Sequence, residues 1–227
     1  MGIMPMFPLG SVLLPGAMLP LHVFEPRYRR LVQDCVAEAS HEFGVALIER
    51  GFEVGGGDFR TMVGTVAKML QVGELEDGRF ALITVGTRRI RINGWLSDDP
   101  YPLADVDDWP DQDRPEDSGS AAASAMESLI AATWSRVRRM NALAAELGDG
   151  HAEISAEISA DPVVASYHLA ALAPLGPADQ QRLLAAPGTR RRLELLGQAL
   201  DDAEALQQFR LQHPSNGTGL DADFDEP

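Results

Sequence analysis

The hydrophobic period of this chain changes once along its length, and that change limits its fold more than any other feature. Up to about residue 106 the apolar residues alternate with polar ones or come in short runs, as in strands. From Ala121 onward they recur at three- and four-residue spacing, as in amphipathic helices. The fold class expected is therefore α+β, a strand-rich lobe followed by a helical one.

In the first part, FGVALIE (43–49) reads as a buried strand and TMVGTVAKMLQV (61–72) as a long one with Gly64 a bend or bulge. RFALITV (79–85) follows Asp77-Gly78, a hairpin signal. RRIRINGW (88–95) alternates Ile90 and Ile92 with Arg89, Arg91 and Asn93, and YPLADV (101–106) closes the set. One helix is predicted, Arg27 to Ala39, entered through Glu25-Pro26 and burying Tyr28, Leu31, Val32, Cys35 and Val36. Short strands around a single helix point to a closed or nearly closed barrel.

Residues 1–24 carry no Asp, Glu, Lys or Arg, but Pro5, Pro8, Pro15 and Pro20 interrupt them. A spanning helix needs ~20 continuous residues, and each interior Pro costs ~3 kcal/mol. Strands over 3–9 and 17–24, joined by a turn at Pro15-Gly16, fit better. No membrane segment is expected, and with Cys35 the only cysteine the expected compartment is the cytoplasm.

In the second part, a helix from Ala121 to Leu147 places Met126, Ile130, Val137, Met140, Ala144 and Leu147 on one stripe, with Leu129 and Trp134 alongside, and Gly148-Asp149-Gly150 stops it. Asp161-Pro162 opens a helix with Val163, Val164, Tyr167, Leu169 and Leu172. Gly176-Pro177 opens another with Leu183 and Leu184 inward. Thr189 is the expected cap of the last helix, whose stripe is Leu193, Leu196, Leu200, Ala203, Leu206 and Phe209.

The net charge of −15 is uneven. Residues 98–117 hold nine acids and one cation, Arg114, and the tail from Pro214 adds Asp221, Asp223, Asp225 and Glu226, so the lobes are close to neutral. The acidic pairs Asp98-Asp99 and Asp107-Asp108 read as solvated carboxylates. The acidity argues against nucleic acid, whose binding draws on phosphate neutralisation. RNA binding is the rival reading, carried by Arg88, Arg89 and Arg91 or by Arg190, Arg191 and Arg192.

No catalytic or cofactor motif assembles. Lys68 is the only lysine and stands between Ala67 and Met69, so there is no P-loop. Gly55-Gly56-Gly57 leads toward a strand rather than a helix and reads as a hairpin loop. The histidines His22, His41, His151, His168 and His213 form no HExxH and no local pair for a metal. No catalytic residue, cofactor or metal ligand is assigned, and the chain is expected not to be an enzyme.

Phe7-Pro8-Leu9, Pro15-Gly16, Leu19-Pro20-Leu21 and Phe24-Glu25-Pro26-Arg27-Tyr28 together resemble the start of the Lon protease N-terminal domain family. Val63-Gly64-Thr65, Asp77-Gly78-Arg79 and Gly86-x-x-Arg89 stand where that family has its central strands, and Gln181-x-Leu183-Leu184 and Arg192-Leu193 resemble its helical half. The resemblance implies a PUA-like β pseudo-barrel followed by an α-helical bundle. It also implies binding of substrate polypeptide, without the ATPase and Ser-Lys peptidase of full-length Lon, hence a stand-alone member. Unfolded or client polypeptide is the partner implied, with a protease as a further one and an adaptor or recruiter role in quality control.

The expected division is 1–110 for the barrel lobe, 111–119 for an acidic linker, 120–212 for the bundle and 213–227 for a disordered acidic tail. Phe24, Glu25, Pro26, Arg27, Tyr28 and Arg89 are the candidate motif residues. Each reads first as structural, Glu25 and Arg27 knitting the helix to the barrel and Arg89 pairing with a carboxylate across it.

Overall fold

A computed structural model describes residues 2–50, 59–113, 119–146 and 157–212. The elements run β1 (Gly2–Leu9), β2 (Met18–Val23), α1 (Pro26–Ala37), β3 (Glu42–Arg50), β4 (Phe59–Glu74), β5 (Phe80–Trp95) and β6 (Leu103–Asp108). Four helices follow: α2 (Ser120–Glu146), α3 (Pro162–Leu172), α4 (Pro177–Leu184) and α5 (Thr189–Gln212). The expected glycine loop at 55–57, the Gly148-Asp149-Gly150 stop and the tail 213–227 lie outside the described residues.

The expected barrel closes through β5. Sheet order is β2-β5-β4-β3-β1-β6, with β6 pairing β5 as well. Two strands expected at 79–85 and 88–95 are one continuous strand. Its first half pairs β2 (Val23↔Phe80 to Met18↔Val85) and its second half pairs β6 (Ile90↔Asp108 to Trp95↔Ala104), while β4 runs along the other edge. Gly86 lies between the halves. A side chain there would overlap the Leu14 carbonyl oxygen, because the β1–β2 loop crosses at that point and exchanges Gly16 N–H→Gly86 O (2.8 Å) and Gly86 N–H→Ala17 O (2.9 Å). β1 and β3 are parallel, and β2 with α1 supplies the long crossover such a pair requires. Gly64 is a point of close approach. A Cβ there would meet the Val45 carbonyl, and the β3–β4 register shifts just beyond it, between Ala46 and Ile48.

Alternation along the strands builds two cores. Met6, Val66, Ile90, Ile92, Ala104 and Val106 form one. The other joins Phe7, Phe43 and Leu82 to Tyr28, Leu31, Val32 and Cys35 of α1, with Tyr28 stacked on Phe7 at 4.1 Å. Burial pushes the Cys35 thiol up to about 12, with Glu38 and Asp34 adding to the shift. Val36, expected on that stripe, is exposed.

The helices pack their stripes together as expected, Met126, Val137 and Met140 of α2 against Leu169, Leu183, Leu193, Leu196 and Leu200. Leu206 and Phe209 depart from the expectation and are exposed, because the buried stripe of α5 runs from Leu200 through Ala203 to Gln207 and turns them outward. The lobes share apolar contact: Leu14 is buried in the bundle core, with Val12, Ala17 and Val63 packed against it. No helix among the described residues is long and apolar enough to cross a membrane.

Two substitutions test these close approaches. Gly64→Ala and Gly86→Ala each force backbone apart and are expected to cost about 1–3 kcal/mol in urea denaturation. Gly94→Ala, with nothing within 4 Å of the added carbon, is expected to stay within about 0.5 kcal/mol.

Candidate functional site: the groove between the lobes

Where the lobes meet, a groove of about 770 Å³ opens, lined by Pro15 and Gly16 of the β1–β2 loop, Gly86 to Arg89 of β5, Asp108 to Asp111 and the start of α3 from Asp161 to Val164, with Tyr167. That volume lies within the ~300–1,000 Å³ range of sites that hold ligands.

Its floor is a buried ion cluster. Arg89 leaves the outer face of β5 and enters the helical lobe, where its guanidinium donates to the carbonyls of Leu184 (2.8 Å) and Ala186, to Trp109 O (2.8 Å) and to Asp111 Oδ1 (3.0 Å). Arg192 of α5 comes from the opposite side. It holds both Asp111 oxygens (2.6 and 2.9 Å), Ser166 Oγ (2.7 Å), Tyr167 Oη (2.7 Å) and Leu183 O (3.3 Å). The Asp111 side chain is 3% exposed, and Arg89 and Arg192 are 2% and 0%.

Helix ends explain why these charges gather here. Leu184 O at the end of α4 and Ala186 O just beyond it accept from Arg89, and Leu183 O, which also takes the Ala186 N–H, accepts from Arg192; the helix dipole is negative there and favours a cation. The start of α5 favours anions for the converse reason. Asp113 accepts from the Thr189 and Arg190 N–H groups (2.7 and 2.9 Å), and Thr189 Oγ1 donates to Asp111 Oδ2 (2.9 Å). Thr189 is thus not the cap expected of it; Asp113 is, and a Cβ at Gly188 would overlap its carboxylate. Burial disfavours the charged form of Asp111, yet hydrogen bonds and charge from Arg192, then Thr189 and Arg89, outweigh it and hold its pKa below the usual carboxylate range. Burial lowers the Arg89 pKa and pushes the Tyr167 hydroxyl up to about 12.

Above this floor the groove is lined by Pro15, Trp109, Pro110, Pro162, Val163 and Val164. Trp109 is flanked by guanidinium groups, Arg89 at 4.1 Å and Arg91 at 4.3 Å from its ring centre. At the rim Arg88 bridges Glu42 (2.8 Å) and Asp108 (2.8 Å). Asp161 caps α3, its Oδ1 accepting from Val163 and Val164. Other exposed apolar residues, Leu70 and Val72, lie on β4 and do not line the groove.

The structure disperses the candidate motif residues. Phe24 is exposed. Arg27 pairs with Glu25 (3.0 Å) and Asp98 (3.7 Å), and Tyr28 is buried, so Glu25-Pro26-Arg27-Tyr28 lies outside the groove. Arg89 alone belongs to the groove. Its carboxylate partner comes from the segment after β6 rather than from across the barrel, because the residue sits on the outer face. Nothing in the local sequence marks Asp111, Asp113 or Tyr167 as site residues, although Arg89 and Arg192 both stand in family-like motifs. The acidic segment was expected to be solvated. Instead Asp111 is buried and Asp113 is a cap, while residues 114–118 lie outside the described set. The Arg clusters are also largely committed: Arg88 is ion-paired, Arg89 and Arg192 are buried, and Arg191 pairs with Glu194 (3.1 Å). Among the described residues no group of three or more His, Cys, Asp or Glu is placed to hold a metal.

Comparison with known proteins agrees with this architecture. The model of the ATP-dependent protease La (LON) substrate-binding domain matches residues 3–202. Lon protease of Flavobacterium johnsoniae is 28% identical over 127 residues, 56% of this chain and 15% of that protein. Lon protease 2 of Sorangium cellulosum is 32% identical over 110 residues, 47% of this chain and 14% of that protein. The chain thus spans about 15% of the length of these curated relatives. The crystal structure of a Lon N-terminal domain protein from Xanthomonas campestris is 32% identical with a TM-score of 0.59, covering 87% of this chain and 98% of that one. The N-terminal domain of the Mycobacterium avium complex Lon protease, 19% identical, is alike in fold, with a TM-score of 0.58 over 88% and 99%.

Removing one member of the buried cluster leaves an uncompensated charge. Arg192→Met is expected to cost about 3–5 kcal/mol in urea denaturation, and the exposed Arg190→Met less than about 0.5 kcal/mol. The cluster also predicts acid sensitivity. A carboxyl whose folded pKa lies below its unfolded value of about 3.9 contributes stability above that value and loses it as the pH falls through the folded one. Wild-type protein should therefore lose stability below about pH 4 more steeply than Asp111→Asn, by up to about one bound proton. Equal slopes for the two proteins would remove Asp111 from that role.

Proposed function

The chain belongs to the family of Lon (ATP-dependent protease La) substrate-binding domains, and on that premise we propose that it is a polypeptide-binding module that takes apolar segments of client chains into the groove between its lobes. The observation that carries this reading is the groove's composition. Its walls are proline, valine and tryptophan, while Arg89, Asp111 and Tyr167 on its floor are satisfied by one another and by backbone. Such a surface rewards an occupant that brings apolar area and asks little hydrogen bonding of it.

In the same reading the chain cuts nothing itself. The titratable groups lining the groove are paired or capping, so none stands as a free nucleophile or base with an activating neighbour. Its work is to hold a client, as an adaptor or recruiter for a partner protease in cytoplasmic quality control.

A fluorescently labelled, permanently unfolded protein should bind with a dissociation constant in the tens of micromolar, about −6 kcal/mol. Val164→Asp, at an exposed position of the groove wall, should weaken that binding by about fivefold or more, roughly 1 kcal/mol. Val72→Asp, at an exposed position of β4 outside the groove lining, should leave it unchanged. Absence of binding sinks the module reading; loss with Val72→Asp alone moves the site from the groove to the sheet.

A further inference from the structure

Resting on that reading of the groove, we propose that its preferred occupant is an extended apolar segment carrying a lysine or arginine, whose cation sits between Asp108 and Asp161.

The charge that reaches solvent in the groove is negative. Asp108 is 66% exposed and Asp161 is exposed as well, whereas the rim's cation, Arg88, is bound to two carboxylates, Glu42 and Asp108. Arg89 and Arg192 bring a surplus positive charge to the floor, but their side chains are 2% and 0% exposed and directed to backbone carbonyls and Asp111. They offer an incoming anion little.

The acceptors at the rim are half used. Oδ1 of Asp108 takes the Arg88 hydrogen bond and Oδ1 of Asp161 takes both α3 N–H groups. The second oxygen of each carboxylate has no hydrogen-bond partner among the described residues. A long basic side chain suits this arrangement, because its methylenes lie along Val163, Val164 and the prolines while its head reaches the carboxylates in water. An acidic residue in the same place would meet like charge, and the groove's own exposed guanidinium, Arg88, already holds two carboxylates.

Three labelled peptides differing at two positions, Lys, Gln or Glu within one apolar sequence, test this on the full chain by anisotropy. The expected order is Lys, Gln, Glu, with about tenfold between the extremes at ~50 mM salt and less than about twofold at ~0.5 M, where screening is nearly complete. The chain's net charge of −15 favours any cation, so the decisive comparison is among variants. Asp108→Asn and Asp161→Ser, which keeps an oxygen to cap α3, should each bring the Lys preference, read as the ratio of Lys to Gln peptide affinities, below about threefold. Asp202→Asn, which removes the same charge on α5, should leave the preference intact. If all three peptides bind equally and Val164→Asp abolishes binding, the groove stands and this preference falls. An equal drop for Asp202→Asn, or tighter binding of the Glu peptide, overturns it too; if no peptide binds, the groove reading fails with it.

Discussion

The Arg89–Asp111–Arg192 cluster is the interaction on which the arrangement of the lobes depends. One arginine belongs to the barrel, the other to the bundle, and the carboxylate to the segment that joins them. Forming such a buried triad gains little net stability, since desolvation offsets the attraction. Its value lies in direction. Planar guanidinium groups aimed at backbone carbonyls, hydroxyls and Asp111 hold the end of α4, the start of α5 and β5 at fixed angles.

The groove is a consequence of that clasp. The β1–β2 loop crosses β5 at Gly86 and sends Leu14 into the bundle, while the start of α3 approaches the same strand from the helical side. Because the ion cluster occupies the space beneath, the floor is polar but saturated, and the exposed walls are what proline, valine and tryptophan provide. A polar interior and an apolar groove wall therefore coexist.

Much of the fold was legible because local chemistry announces it. Alternation at Ile90 and Ile92, the Pro26 start of α1 and the Asp161 cap of α3 all act within a few residues of where they are read. The misreadings lie where a neighbour distant in the chain decides. Leu206 and Phe209 fit a helical stripe, but the bundle covers α5 along Ala203 and Gln207 and leaves them on the outer side. Thr189 has the chemistry of a cap, yet a carboxylate 76 positions earlier does the capping. Residues 79–85 and 88–95 read as two strands, whereas one strand runs through Gly86, whose lack of a side chain lets the β1–β2 loop cross there.

What the sequence determines by itself is the order and type of the elements, the absence of a P-loop lysine and the family resemblance, all properties of short segments. Only the tertiary structure decides what the charges do. Asp111 looks like one more carboxylate in an acidic stretch, and Arg89 like one more polar residue on a strand. Their burial follows from two helix ends and an outer sheet face meeting at one point. The energy of a charge depends on its surroundings in space, and no local pattern encodes those.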